Sequence, residues 1–328
     1  MSNTLLCTFN KLVILVITGT ATGLLLELRH LRYFVAVAEE LHFGRAARRL
    51  HVAQPALSQQ IKRLEQELGV VLLERTKRRV ALSGPGSAFL EEARRTLASA
   101  EQAVRAARRA SAGEVGRLRV GYVDLAMWGS LPSILRLYAD RYPEVTLSLT
   151  ELHREPQRDA LLRGELDVGF LTLKDGDTAL EGELVVADPL LVALPDDHPA
   201  GRRKRVPIGD LAEEPWVTFP AELKTLYLDL TFAACAQAGF APRVVQETSQ
   251  LHTLTALVSA GVGVTLVPSV VARAERAGVA FRPLTGKAPR LPLHVVWPAG
   301  RLAPTGRSFV DVVRKVPHSL GSDRGAPD

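Results

Sequence analysis

Only two cysteines, Cys7 and Cys235, occur in the 328 residues, and they stand far apart. They form neither a disulfide framework nor a metal-ligand spacing, which suits a reducing cytoplasm and argues against a peroxide-sensing thiol pair. Catalytic signatures are missing as well. The chain has no Walker-type phosphate loop, no HExxH, no GxSxG, no CxxC and no tight His/Asp cluster. No metal and no cofactor is therefore expected, and an enzyme would need a constellation assembled wholly by folding. Acidic residues are also in deficit, with 35 Asp/Glu against 41 Lys/Arg and a formal net charge of +6. That balance leans toward an anionic partner such as nucleic acid. Most of the surplus lies between Glu27 and Ser83, where eleven Lys/Arg meet six Asp/Glu.

With 47% hydrophobic residues, a chain of this length can bury real cores and suits two or three compact units. One apolar, uncharged run stands out, Leu12 to Leu26. It is short for a membrane span and lacks a small-residue cleavage site before the charged ELRHLR segment. A signal peptide and an anchor are the alternatives to the favoured reading, in which residues 1–26 are upstream sequence not translated in the native protein, or a disordered leader. Leu26 would then mark the true start, and patterned sequence would begin at Glu27.

Leu31, Phe34, Val35, Ala38 and Leu41 recur at helical spacing, and Phe43, Ala46, Ala47 and Leu50 repeat it in a second, short helix. After a break at His51-Val52-Ala53, Pro55 suits the first turn of a third helix, which Gly69 ends. Leu57, Ile61, Leu64 and Leu68 form its buried stripe, and Gln54, Ser58, Gln59, Lys62 and Gln66 its polar face. Two short helices joined by a tight turn predict a helix-turn-helix. Gln pairs bidentately with adenine, Ser bonds several base edges, and Lys reaches guanine or phosphate. Beyond this helix Arg75, Lys77, Arg78 and Arg79 alternate into Val80 and Leu82, which reads as a two-stranded wing carrying phosphate-contacting cations rather than a solvated charge run.

The stretch LRHLRYFVAVAEELHFGRAARRLHVAQPALSQQIKRLEQELGVVLLERTKRRVALS resembles the DNA-binding domain of the LysR-type transcriptional regulators. The resemblance implies that Gln54, Pro55, Ser58 and Gln59 lie where the family reads the major groove, and that Arg75 and Arg78 lie in its wing. Gly44 holds a place where the family often has Ser or Thr, so a phosphate contact there would pass to Arg45.

From Pro85 to Ala112 the composition shifts to Ala, Arg and Glu, all good helix formers. Leu90, Ala93, Leu97, Ala100, Val104 and Ala107 are spaced alternately three and four apart, an a/d seam of about three heptads. Glu91 with Arg95 and Glu101 with Arg105 are expected to add support at i,i+4. A dimerising linker helix is favoured over one packed on its own domain, as the resemblance also implies, and a dimer would read an interrupted palindrome.

From Arg117 strands and helices alternate. Strands are predicted at Leu118 to Val123, Val145 to Glu151, Val168 to Leu171, Leu190 to Leu194, Trp216 to Phe219, Arg243 to Gln246, Gly263 to Val267 and Leu293 to Trp297. Helices are predicted at Leu131 to Tyr142, Gln157 to Arg163, Thr225 to Ala238 and Ser249 to Ala260. Such alternation argues for parallel sheets in two α/β lobes with a cleft between them. The stretches YPEVTLSLTEL, LLRGELDVGFL and AGFAPRVVQETSQLHTLTALVSAGVGVTLVP resemble the family's effector-binding domain, which implies a fold like that of periplasmic binding proteins. The expected organisation is a leader (1–26), a winged helix-turn-helix (27–84), a linker helix (85–113), an effector domain (114–316) and a flexible tail (317–328). Lobe I is expected over about 117–188 and 290–316, and lobe II over about 189–289.

Ligands of open α/β folds sit beyond the carboxyl ends of strands, near helix N-termini that favour anions. The candidate effector contacts are therefore Asp124 and Leu125, His153 and Arg154, Thr218 and Phe219, and Thr248 and Ser249. For each, a plain surface or capping role is the standing alternative, and Ser249 suits a helix N-cap. Relatives that respond to aromatic-pathway acids often have Ser in place of Leu125 and Thr in place of Arg154. Arg154 would pair with a carboxylate instead, whereas Asp124 would repel one. The basic run Arg202 to Arg205 is expected to be a solvated loop, and Asp167 structural. Taken together, the chain is expected to be a cytoplasmic homodimer or dimer of dimers whose operator binding answers to a small molecule, with RNA polymerase as a further partner. A secreted solute-binding protein and an effector-blind DNA binder are the competing readings.

Overall fold

The computed structural model describes residues 14–16, 25–76, 79–173 and 176–317. It divides into two compact units, one ending at Arg108 and the other starting at Arg109.

In the first unit β1 (Ile14–Val16) pairs antiparallel with β2 (Leu25–Glu27). Both strands fall within the segment expected to be a leader or at its end. Three helices follow: α1 (Leu28–Glu40), α2 (Phe43–Arg49) and α3 (Gln54–Leu68). Glu27 caps α1 in a capping box with His30. Leu41 leaves the expected apolar stripe: it closes α1 in the left-handed region at φ 46° and stays exposed. Pro55 lies in the first turn of α3 and Gly69, at φ 70°, ends it, a conformation that costs a β-carbon-free residue little. Leu57, Ile61 and Leu64 are fully buried against Phe34, Val37, Ala46 and Ala47, each large side chain contributing roughly 1.5–3 kcal/mol. The wing is the hairpin of β3 (Leu73–Arg75) and β4 (Val80–Leu82).

The long helix α4 (Gly84–Ser111) starts where a β-carbon on Gly86 would stand 1.9 Å from the Leu72 carbonyl oxygen, so only glycine permits this approach. Phe89, Leu90, Ala93 and Leu97 pack on the helix-turn-helix core, with Phe34 and Phe89 edge to face at 5.1 Å. Half of the expected seam is therefore used within the chain, whereas Val104 is 51% exposed. Arg95 pairs with Glu92 rather than with Glu91, and Arg105 pairs with Glu101 as expected.

The second unit contains β5 (Val115–Tyr122), α5 (Asp124–Trp128), α6 (Leu131–Arg141), β6 (Glu144–Glu151), α7 (Arg154–Leu162), β7 (Val168–Leu171) and β8 (Leu180–Pro195). Then come β9 (Pro215–Thr218), α8 (Leu226–Gln237), β10 (Arg243–Glu247), α9 (Leu251–Ser259), β11 (Thr265–Pro268), α10 (Ser269–Ala272), β12 (Val279–Pro283), β13 (Arg290–Pro298) and α11 (Pro304–Val313). The main sheet runs β11-β8-β13-β7-β5-β6, with β12 also on β8.

The expectation of purely parallel sheets needs correction. β5 pairs parallel with β6 and β7, and β9 with β10, but β13 and β8 enter antiparallel. The long β8 causes the mixture. Its first part, through Pro189, pairs with β13, and its second part, Leu190 to Pro195, pairs with β11 and β12. One strand thus serves both lobes. At their junction the buried Asp188 accepts Ser269 Oγ at 2.7 Å and the Val270 N–H at 2.8 Å. In lobe I, Phe309 of α11 packs edge-on against Tyr138 at 5.0 Å and Phe170 at 6.1 Å. Asp167 is structural, taking the Arg119 N–H and guanidinium. Arg202 to Arg205 form an exposed loop, Arg203 paired with Asp210.

Candidate functional site

Successive turns of α3 line up Gln54, Ser58 and Lys62 in one row and Pro55 and Gln59 beside it, because residues four apart share a helix face. All are exposed except the half-buried Ser58, and they flank the stripe of buried Leu57, Ile61 and Leu64. This surface offers amide, hydroxyl and ammonium groups with no hydrophobic interruption, the chemistry that reads base edges and phosphates. Space beside it is limited: a β-carbon on Gly44 would come within 3.0 Å of His42 and 3.3 Å of Gln54 Oε1.

The flanking cations are held by the protein itself. Arg45 Nε donates to Glu40 Oε2 at 3.1 Å and its Nη2 to the Glu40 carbonyl, tying α2 to the end of α1. Arg75 donates to Glu65 Oε2 at 2.7 Å and lies over the Phe43 ring at 4.9 Å. Arg75 thus fastens the wing to α3 and α2. Lys77 and Arg78 lie outside the described residues. Glu65 was not singled out by sequence reasoning, yet its Oε1 accepts the Leu72 and Leu73 N–H groups, both at 3.0 Å. No local pattern announces a carboxylate that bonds backbone seven and eight residues away.

The second unit holds a cavity of about 90 Å³ between its lobes. Asp124, Leu125, Arg154, Phe219 and Ser249 line it, as does His153. Thr218 and Thr248 do not: Thr218 is buried behind the wall, and its carbonyl accepts the Thr248 N–H at 2.9 Å. Sequence reasoning missed Thr172, Thr225, Leu226, Tyr227, Leu251 and Leu291. Ser249 is not the N-cap of α9; Gln250 is, without a side-chain bond, and the Leu251 N–H is taken by Asp124 Oδ2 at 2.8 Å. Asp124 Oδ1 also accepts the Trp128 indole N–H at 3.0 Å.

Arg154 is not a free partner for a ligand. It is 9% exposed, and its three nitrogens reach the Thr172 carbonyl at 3.0 Å, Glu155, and Asp177 at 3.4 Å. Asp177 also holds Arg158 at 2.8 Å, and that guanidinium keeps its carboxyl below the usual carboxylate range. Tyr227 donates to the Leu266 carbonyl at 2.7 Å, and complete burial pushes its phenol up to about 12, so it meets a ligand neutral. Burial likewise pushes the Cys235 thiol up to about 11, which leaves it unreactive. Among the described residues no helix is long and apolar enough to cross a membrane.

Comparison with known proteins identifies both units. Residues 28–87 match the family model for the bacterial regulatory helix-turn-helix protein, lysR family, and residues 111–317 match that for the LysR substrate binding domain. The chain is 43% identical over 273 residues to the HTH-type transcriptional regulator AlsR of Bacillus subtilis, covering 83% of this chain and 89% of AlsR. It is similar to the crystal structure of CbnR, a LysR family transcriptional regulator, with a TM-score of 0.76 and 33% identity over 88% of this chain and 100% of that one. Full-length CbnR complexed with its target DNA matches with a TM-score of 0.71, again at 33% identity, over 88% of this chain and 99% of that one.

Proposed function

The chain belongs to the LysR family of bacterial transcriptional regulators, and on that premise we propose which residues read DNA and which meet the effector. It is a DNA-binding regulator with a helix-turn-helix unit and an effector-binding unit, and not an enzyme. The observation that carries the residue assignment is the exposed polar row of α3 beside its buried stripe. Gln54, Ser58 and Gln59 read bases, Lys62 holds phosphate, and Pro55 sets the start of the helix. The operator is an interrupted palindrome read by a homodimer or a dimer of dimers, paired through the exposed half of α4. The protein acts in the cytoplasm, where its DNA is, and RNA polymerase is a further partner.

The effector is a small molecule seated in the cavity lined by Asp124, Leu125, Phe219 and Ser249. Arg154, the residue expected to pair with a carboxylate effector, has its guanidinium already paired.

The division of roles on α3 is tested by titrating operator variants with mutant protein over a range of salt. Gln54→Ala or Ser58→Ala should relax base preference, costing roughly 1–3 kcal/mol at the affected base pair and little elsewhere. Lys62→Ala should weaken all DNA alike and flatten the slope of affinity against salt by about one phosphate. Identical behaviour of the two classes across operator variants would refute the assignment.

A further inference from the structure

Asp124 belongs to lobe I, yet its carboxylate closes the end of a lobe II helix. Oδ2 accepts the Leu251 N–H at 2.8 Å, and Oδ1 accepts the Trp128 indole at 3.0 Å. Leu251 is the first residue of the nine-residue α9. Its N–H is one of the donors at which a helix concentrates positive potential and holds anions. In this chain that donor already has an anion, supplied by the protein and bordering the cavity. The two neighbouring arginines offer an acid no free anchor, because Arg154 and Arg158 face Glu155 and Asp177, which leaves His153 as the basic side chain on the wall. Much of the remaining wall is apolar, with Leu125, Phe219, Leu226 and Leu291.

Provided that this cavity is the effector site, as proposed above, we propose that Asp124 is a specificity-determining residue acting as a built-in anion. It fills the position that the carboxylate of an acid ligand would take, and it restricts the cavity to small uncharged molecules. A ligand carboxylate would face Asp124 with like charge beside an apolar wall, where screening is weak. A carboxamide or alcohol of the same shape meets no such repulsion; it can donate to Thr172 Oγ1, which itself donates to the Pro292 carbonyl, and accept from Thr225 Oγ1, which accepts the Leu228 N–H. The volume of about 90 Å³ holds about six to nine waters at roughly 10–15 Å³ each, which sets the scale of the ligand.

Isobutyramide and isobutyrate have the same shape and differ in charge, so they separate the two classes. Thermal shift and calorimetry on the full-length protein would compare wild type, Asp124→Ser, Asp124→Asn and Ser249→Trp. The amide should bind wild type and the acid should not. In Asp124→Ser the acid should gain about tenfold or more in affinity, because a like charge has been removed and a donor freed. Should Asp124→Ser lack a cooperative melt, the same-shaped Asp124→Asn carries the comparison and should shift the acid in the same direction. Ser249→Trp fills the mouth of the cavity from an exposed position and should abolish amide binding. Acid binding to wild type as tight as the amide, lost in Ser249→Trp, would overturn the role of Asp124 while leaving the cavity as the effector site. An acid affinity unchanged in the Asp124 variants would overturn it too. Amide binding untouched by Ser249→Trp, or no binding of either probe to any variant, would remove the effector-site reading and this proposal with it.

Discussion

A carboxylate that accepts two backbone N–H groups and an arginine is holding a turn that lacks a hydrogen-bond ladder of its own. Glu65 does this between α3 and the wing, where Leu72 and Leu73 are almost fully buried and bond its Oε1. Glu65→Ala leaves those two buried donors without an acceptor and frees Arg75 from its ion pair. Each orphaned donor costs about 1–3 kcal/mol, so the DNA-binding unit should lose roughly 2–6 kcal/mol, read from urea melts of the full-length protein. Glu65→Gln keeps a carbonyl acceptor in place and should lose only about 1 kcal/mol. The exposed Gln54 and Gln59 differ in kind, since removing a solvated side chain changes stability by about 0.5 kcal/mol or less. Stability and base reading are therefore separable within one helix. A Glu65→Ala protein as stable as wild type would show that the Glu65 bonds do not hold the wing.

The helix α4 divides its own apolar seam. Leu90, Ala93 and Leu97 turn to the DNA-binding core, and Val104 is left in water. A seam that continues past the point where its own domain stops covering it needs another surface, and heptad spacing makes a second α4 the natural one. Burying Val104 on association contributes roughly 1.5–3 kcal/mol per side chain. Val104→Ser should accordingly raise the dimer dissociation constant about tenfold or more, measured by sedimentation over a concentration series, with an unchanged circular dichroism spectrum. Elements with strong local signals were legible from sequence. α3 runs from Gln54 to Leu68 between its proline and its glycine, and β7 covers Val168 to Leu171 as read. β8 was read only from Leu190. Its earlier part carries Glu181, Gly182, Glu183 and Asp188 and passes a register shift opposite Leu293 and His294, which breaks the alternation a strand reading depends on. The four-strand contact that makes this strand a member of both lobes is a property of topology and has no local signature.

The cavity was less legible than the polar face of α3 for the same reason. Gln54 to Lys62 lie on one helix, whereas Asp124 and its partner Leu251 are 127 positions apart and meet only through the folded lobes. If the cavity is the effector site, as proposed, its occupancy must change how the helix-turn-helix unit binds DNA. Whatever passes between them is a coupling free energy, and such coupling is reciprocal. If effector changes operator affinity by some factor, bound operator must change effector affinity by the same factor, typically about 5- to 150-fold. Anisotropy titrations of operator with and without effector give one factor, and calorimetry of effector with and without operator gives the other. The two are expected to agree and to exceed about fivefold. Two factors near one, in a protein whose target genes still respond to effector, would mean that the signal leaves DNA affinity untouched. The effector would then act on the shape of the bound DNA, whose bending energy is a separate quantity from its affinity.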